Sequence, residues 1–427
     1  MILIRKVIIY IIFFVGITTS LFSQNVEKTK ERVGKLSSQE FYGRGYVKDG
    51  VNKAADYIKK ELETTGVKSF GNSYYQPFEY NINTFPSKME VKIDGKILEP
   101  GIDYMIGPET PSINAKYGFF FPDSLLINNI EGFTEYVKSN DVSKKMLVLD
   151  YALINNIDIK WFYIYYMMSN PHSFGGIIEL IPDELMYSVR TNQQKYPVVK
   201  IKREIFPENA KEISVKVNSK FIKNFQTKNI IAYIEGESDE FIVFSAHYDH
   251  LGTMGKDVYI PGAQDNASGT AMLLDLADYY SKNKPRYSIA FMFFSGEEAG
   301  LLGSLYYVGN PLFELSKIKA VVNLDLVGTG DDGITIVNGE LEEYKNIREL
   351  FNEINTENGY FTEIKARGEA ANSDHYPFHK SGIPAVFIYT MGGKTYYHHP
   401  KDTLETLTFT GYNQLFGLLI KFVERYE

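Results

Sequence analysis

The amino-acid sequence predicts an α/β protein: a mainly parallel, mixed sheet sandwiched by helices, interrupted by a β-rich inserted domain. Two observations carry this. From residue 229 onward, near-continuous apolar runs of strand length (FIVFSA, SIAFMFF, IKAVVNLDLVG and PAVFIYT) alternate with helical stretches. Strands read this way when both of their faces are buried under helices, as in parallel sheets. Between about residues 85 and 225 the texture differs, with short strand-like pieces such as MLVLDY, GIIELI, YPVVKIKR and EISVKVNS. Polar or proline-bearing turns separate these pieces.

Taken in order, the chain opens with MILIRKVIIYIIFFVGITTSLFSQ, where Arg5 and Lys6 precede an apolar core and small polar residues lead to Ser23. This is the layout of a secretory signal peptide cleaved near Ser23, and its core is shorter than the ~20 residues a spanning helix needs. Export to the periplasm or the medium is expected, without stable membrane insertion after cleavage. Residues 26–69 read as helical, because Val51, Ala55, Ile58 and Leu62 recur at helical spacing before a stop at Gly66. The aromatic run IKWFYIYYMM is too short to span a bilayer and reads as core or as a contact surface between domains. Later helices are expected in ASGTAMLLDLADYYSKN, EAGLLGSLYYV, LEEYKNIRELFNEIN and TGYNQLFGLLIKFVERY. The expected organisation is a signal peptide (1–23), the first part of the main domain (24–90), an insert (91–225) and the rest of the main domain (226–427).

Composition narrows the function classes. A 427-residue chain that is 44% hydrophobic with a net charge of −8 is globular. No basic stripe is present to meet a phosphate backbone, which disfavours nucleic acid. The absence of cysteine excludes disulfides, thiolate metal ligands, a cysteine nucleophile and a lipid anchor on cysteine.

In a parallel sheet, ligands bind beyond the carboxyl ends of the strands. There the sequence delivers His247, Asp249 and His250 after FIVFSA, and Asp265 at the start of a helix in PGAQDNASG. Glu297 and Glu298 follow SIAFMFF, Asp325 lies in NLDLVG, and His398 and His399 follow PAVFIYT. Singly, each has an ordinary role: a helix N-terminal acid for Asp265, an acidic first turn for Glu297–Glu298. Together they place imidazoles and carboxylates from several strands on one sheet edge, a donor set that suits zinc.

The ordered set HxD, PGAQDNASG, GEE, NLDLVG and YHHPKDT resembles the secreted zinc aminopeptidase family with a co-catalytic metal pair. Relatives of that family include the glutamate carboxypeptidases and the glutaminyl cyclases. The resemblance covers about residues 229–407, and the GRG of Gly43–Gly45 is similar to the family's opening. It implies two zinc ions per chain, one held by His247 and Asp325, the other by Glu298 and His398, with Asp265 bridging them. It makes Glu297 the catalytic base and Asp249 the acceptor that orients His247. Family sequences commonly read Tyr-His-Thr-Pro where this chain reads Tyr397-His398-His399-Pro400, which puts the ligand at His398. Tyr397 is then a candidate for polarising the substrate carbonyl, a packing tyrosine being the alternative. A cis peptide at Asp265–Asn266 is a further expectation of the resemblance. His375 and His379 are expected to be structural or substrate-lining. The insert sits where some relatives carry a protease-associated domain.

The reaction implied is metal-dependent hydrolysis of a peptide bond in peptide or protein substrates, releasing an N-terminal residue. Three alternatives stand beside it. A carboxypeptidase or dipeptidase would need a cationic clamp for a substrate carboxylate, for which Arg367 and Lys394 are candidates. A glutaminyl cyclase-like acyltransferase would keep one zinc. A non-catalytic binding module of the same fold would keep none.

Overall fold

A computed structural model describes residues 25–394 and 396–427. The signal-peptide expectation falls on residues outside this range. No helix of the described residues is long and apolar enough to cross a membrane.

Among the described residues, nine strands form the main sheet. At its centre four strands run parallel, in the spatial order Tyr287–Phe294, Ser238–His247, Ile318–Leu324 and Ala385–Met391. These are the four apolar runs of the sequence, and all eight residues of Tyr287–Phe294 are buried. The sheet is mixed because both flanks turn antiparallel. Lys220–Ile234 pairs antiparallel with Tyr287–Phe294 on one side, and Gly333–Val337 with Ala385–Met391 on the other.

The helices cover the faces the strands leave apolar. Ser268–Tyr280 is buried along nearly its whole length, with Gly269 pressed onto the strand end: a Cβ there would lie 2.4 Å from the Leu324 carbonyl. Val26–Leu36 packs outside it, tied down by a buried ion pair from Arg32 Nη1 to Asp275 Oδ1 at 2.5 Å. In Gly50–Thr65 the residues at helical spacing, Val51, Ala55, Ile58 and Leu62, are fully buried.

A second sheet of eight strands spans residues 90–217. Its middle strands, Ile113–Phe120, Lys145–Asp150, Gly176–Ile181 and Val198–Lys202, are parallel. Two of the three crossovers that parallel order requires contain helices the sequence reading did not place, Ile130–Ser139 and Ile157–Ser169. The run IKWFYIYYMM lies on the second of these. Tyr163 and Tyr166 are buried in the local core while Trp161 stands 62% exposed. The opposite face of this sheet belongs to the main core, where Val91, Ile178, Leu185 and Tyr187 join the same cluster as Phe244 and Phe291. The two sheets therefore share one hydrophobic core.

Candidate metal centre

Strand register builds the first half of the site. Ser245 and Asn323 are partners on adjacent parallel strands, so His247 and Asp325, each two residues on, leave the sheet side by side. His247 Nε2 lies 3.3 Å from Asp325 Oδ1 and 3.2 Å from Asp265 Oδ1. Asp325 is steadied on its other oxygen by Ser373 Oγ, which donates at 2.8 Å. Ser373 in turn accepts from Asn323 Nδ2 at 2.8 Å. The Nδ1 of His247 donates to the main-chain carbonyl of Asp249 at 3.1 Å. This differs from the expected carboxylate contact: the Asp249 carboxylate lies 3.8 Å away, accepting instead from the Tyr46 hydroxyl and the Glu297 N–H at 3.2 Å each. Two residues separate ring and carbonyl, so the strand exit itself supplies the acceptor.

The second half is built from turns. Asp265 Oδ2 lies 3.3 Å from His398 Nε2, which is 3.2 Å from Glu298 Oε2. Each oxygen of Asp265 thus faces a different imidazole, and each imidazole has a second carboxylate beside it. His398 enters the cluster and His399 turns away, its Nδ1 accepting from the Lys401 N–H at 3.1 Å. The outer oxygen of Glu298 accepts from His250 Nδ1 at 2.6 Å. Glu297 and Glu298 diverge from one turn: Glu298 joins His398, and Glu297 lines a cavity of about 190 Å³ with His247, Asp265 and Asp325.

The loop that presents Asp265 is gripped from both sides. The Asp402 carboxylate accepts from the N–H groups of Gln264 and Asp265 at 2.8 and 3.1 Å. Arg44, fully buried, donates to the carbonyls of Pro261, Gly262 and Asp265 at 2.9, 2.8 and 3.1 Å. Gly262 is required there: φ is +64° and a Cβ would fall 2.2 Å from the Asp265 carbonyl. The Asp265–Asn266 peptide is cis.

Electrostatically the cluster is short of positive charge. Burial raises the Glu297 carboxyl well above its usual range, His247 opposing and Glu298 adding to the rise. Burial would raise Glu298 too, but the His398 charge and the His250 hydrogen bond outweigh it and hold that carboxyl at about 2. For His398 burial works downward, yet Glu298 and Asp265 carry it up to about 11. Burial pushes both Asp249 and Asp374 up to about 7. In effect, protons on His247 and His398 balance the acids, where a cation would otherwise do so.

The donor set fits zinc. His247, Asp265 and Asp325 place one ligand atom each within 4.8 Å of one another, as do His250, Asp265 and Glu298. Imidazole and carboxylate are the donors zinc takes in the absence of thiolate. A carboxylate shared between two such groups is the bridge that adjacent metals about 3.5–4 Å apart require.

The cavity beside these residues is walled by Leu326, Phe387, Tyr389 and Tyr397, with Arg367 at its edge. Tyr397 stacks on the His398 ring at 3.7 Å and is 49% exposed. Lys394 sits over the Tyr396 ring, 4.9 Å from its centre. His379 bonds the Tyr344 hydroxyl at 2.6 Å, and His375 packs against Phe387. Four residues of this site had no role in the sequence reading: Arg44, His250, Ser373 and Asp402. Of these, His250 carried a readable signal, a second histidine at the same strand exit.

Residues 229–423 match the family described as Peptidase family M28. Aminopeptidase YwaD of Bacillus subtilis is 29% identical, covering 51% of this chain and 48% of the relative. A probable leucine aminopeptidase of Arthroderma otae is 30% identical, covering 44% of this chain and 54% of the relative. The chain thus spans about half the length of these relatives. The structure of a zinc aminopeptidase from Bacillus subtilis superposes with a TM-score of 0.72, at 20% identity over 94% of both chains. The fold is therefore that of the zinc aminopeptidases.

Proposed function

We propose that the chain, whose residues 229–423 match Peptidase family M28, is an exported zinc-dependent aminopeptidase. It takes peptide or protein substrates and carries two zinc ions. The observation that carries this reading is Asp265, whose Oδ1 lies 3.2 Å from His247 Nε2 and whose Oδ2 lies 3.3 Å from His398 Nε2. A zinc pair so held supplies Lewis acidity and brings the pKa of a water molecule toward neutrality.

The chain's own groups do the rest. Glu297 lines the cavity and has a carboxyl oxygen within 4.8 Å of ligand atoms of His247 and Glu298, close enough to the metal position to move a proton there. Burial makes it a stronger base than a solvated carboxylate, matching it to take a proton from the attacking water and return it to the departing amine. Asp249, through the Glu297 N–H at 3.2 Å, fixes the turn that aims it. Tyr397, which lines the cavity, would in this reading donate to the developing oxyanion. Leu326, Phe387 and Tyr389 form an apolar wall for a substrate side chain. Export rests on Arg5, Lys6 and the apolar run that follows them.

A second reading has one observation in its favour. Arg367 reaches the cavity edge, where its guanidinium donates a long hydrogen bond, 3.4 Å, to the Tyr389 hydroxyl. A guanidinium there suits a substrate carboxylate, as a carboxypeptidase or dipeptidase requires. A panel of free-amine peptides, N-blocked peptides and dipeptides, assayed with and without chelator, separates the readings. Chelator-sensitive turnover of free-amine peptides is expected. Turnover confined to N-blocked peptides would reject the aminopeptidase assignment, and confinement to dipeptides would favour the second reading.

A further inference from the structure

Four of the five proposed ligand residues are steadied by the main domain alone. His247 is held through Asp249, Asp325 through Ser373, Glu298 through His250, and Asp265 through Arg44 and Asp402. His398 is different. Its Nδ1 lies 3.1 Å from the carbonyl of Tyr187, and the Tyr187 N–H donates to the His398 carbonyl at 3.0 Å. Tyr187 belongs to the insert, on the segment that leaves the strand Gly176–Ile181.

A carbonyl can only accept, so this contact keeps a proton on Nδ1, and Nε2, which faces Glu298 and Asp265, is the nitrogen left to give up its proton to a metal. The main chain around His398 needs such support. Its φ is +56°, a left-handed conformation that a residue with a Cβ adopts only when its surroundings impose it. The segment that imposes it is itself anchored. Leu185, Tyr187 and Val189 are buried in the shared core. The Asn83 N–H donates to the Arg190 carbonyl at 3.0 Å, and Gln194 N–H to the Glu109 carbonyl at 2.8 Å.

We infer that the insert is a structural part of the metal centre: through the main chain of Tyr187 it sets the tautomer and aim of His398, and so completes the metal position formed by His398, Glu298 and Asp265. This rests on the two-zinc reading. Tyr187 is a positioning residue, acting through its backbone, and the position formed by His247 and Asp325 does not depend on it.

The test counts zinc at fixed free-zinc concentrations in the full chain. Wild type is measured first, and fewer than two ions there would sink the two-zinc reading itself. Tyr187→Pro removes the N–H, and deletion of residues 186–188 removes the Tyr187 carbonyl as well. Each should weaken one of two zinc ions by about 10–100-fold, the range for loss of an outer-shell partner. The other ion should be retained, and the metal-free fold checked by thermal unfolding. Tyr187→Phe, which keeps main chain and ring, should hold both ions. Two ions at wild-type affinity in both disrupted variants would overturn the inference. Should those variants fail to fold, ¹⁵N spectra of the wild-type imidazoles decide: Nδ1 of His398 protonated and Nε2 metal-bound supports it, the reverse overturns it.

Discussion

The two halves of the proposed metal centre are made in different ways. His247 and Asp325 stand on adjacent parallel strands whose register brings them together within a few residues of the core. Glu298 and His398 stand on turns that no strand register brings together, and they are steadied by His250 and by Tyr187 of the insert. A strand pair fixes its ligands as soon as the sheet forms. A turn pair needs long-range contacts to be complete, so its affinity is open to change from farther away. Asp265, gripped by Arg44 and Asp402, joins the two.

Breaking the shared element should have the largest effect. Asp265→Ala should weaken both zinc ions, each beyond the about 10–100-fold that loss of an outer partner costs. Metal analysis showing only one position emptied would undo the bridging role. Next comes Glu297→Gln, expected to lower kcat by about 10²–10⁴ while zinc stays at two per chain. Unchanged turnover would remove Glu297 as the base.

Smaller changes sharpen the contrast between halves. His250→Asn keeps a donor near the place of Nδ1, whereas His250→Gln moves it toward the place of Nε2. The Gln variant should lose about tenfold or more in affinity at the Glu298 position, and the Asn variant should recover most of it. Equal losses would mean that His250 acts by bulk alone. Ser373→Ala should weaken only the His247–Asp325 position, by the about 1.5–3 kcal/mol of a hydrogen bond to a charged group; a loss confined to the other position would contradict the assignment.

The pH dependence follows from His398. Burial lowers its pKa, but Glu298 and Asp265 raise it to about 11, so in the metal-free protein it is protonated at neutral pH. That pairing stabilises the metal-free fold below the ordinary histidine range and is lost as pH rises through about 11. Zinc must displace the proton, so apparent affinity should rise with pH, by about tenfold per unit for each proton released. Calorimetry in buffers of different ionisation heat reads this release directly, and a pH-independent affinity would argue against imidazole ligation.

Much of this was legible in the sequence because the central strands are buried on both faces and so lack any polar alternation. Ligand residues are equally visible when they follow such runs directly, as His247, Glu297, Glu298 and Asp325 do. Arg44, Asp402 and Tyr187 were not legible, for a common reason. They act on or through main-chain groups, over separations of 221, 137 and 211 residues, and a backbone partner leaves no mark in residue type. The helices of the insert were hidden differently. In Ile157–Ser169 apolar residues lie on every side, with Trp161 exposed and Tyr163 buried, so no stripe marks its period.

The central claim is a pair of metal positions sharing Asp265. Anomalous diffraction at the zinc edge from crystals of the zinc-loaded protein tests it most directly. Two peaks about 3.5–4 Å apart on either side of Asp265 are expected, one beside His247 and Asp325, the other beside His398 and Glu298. A single peak, or one ligated by His250 in place of His398, would contradict it.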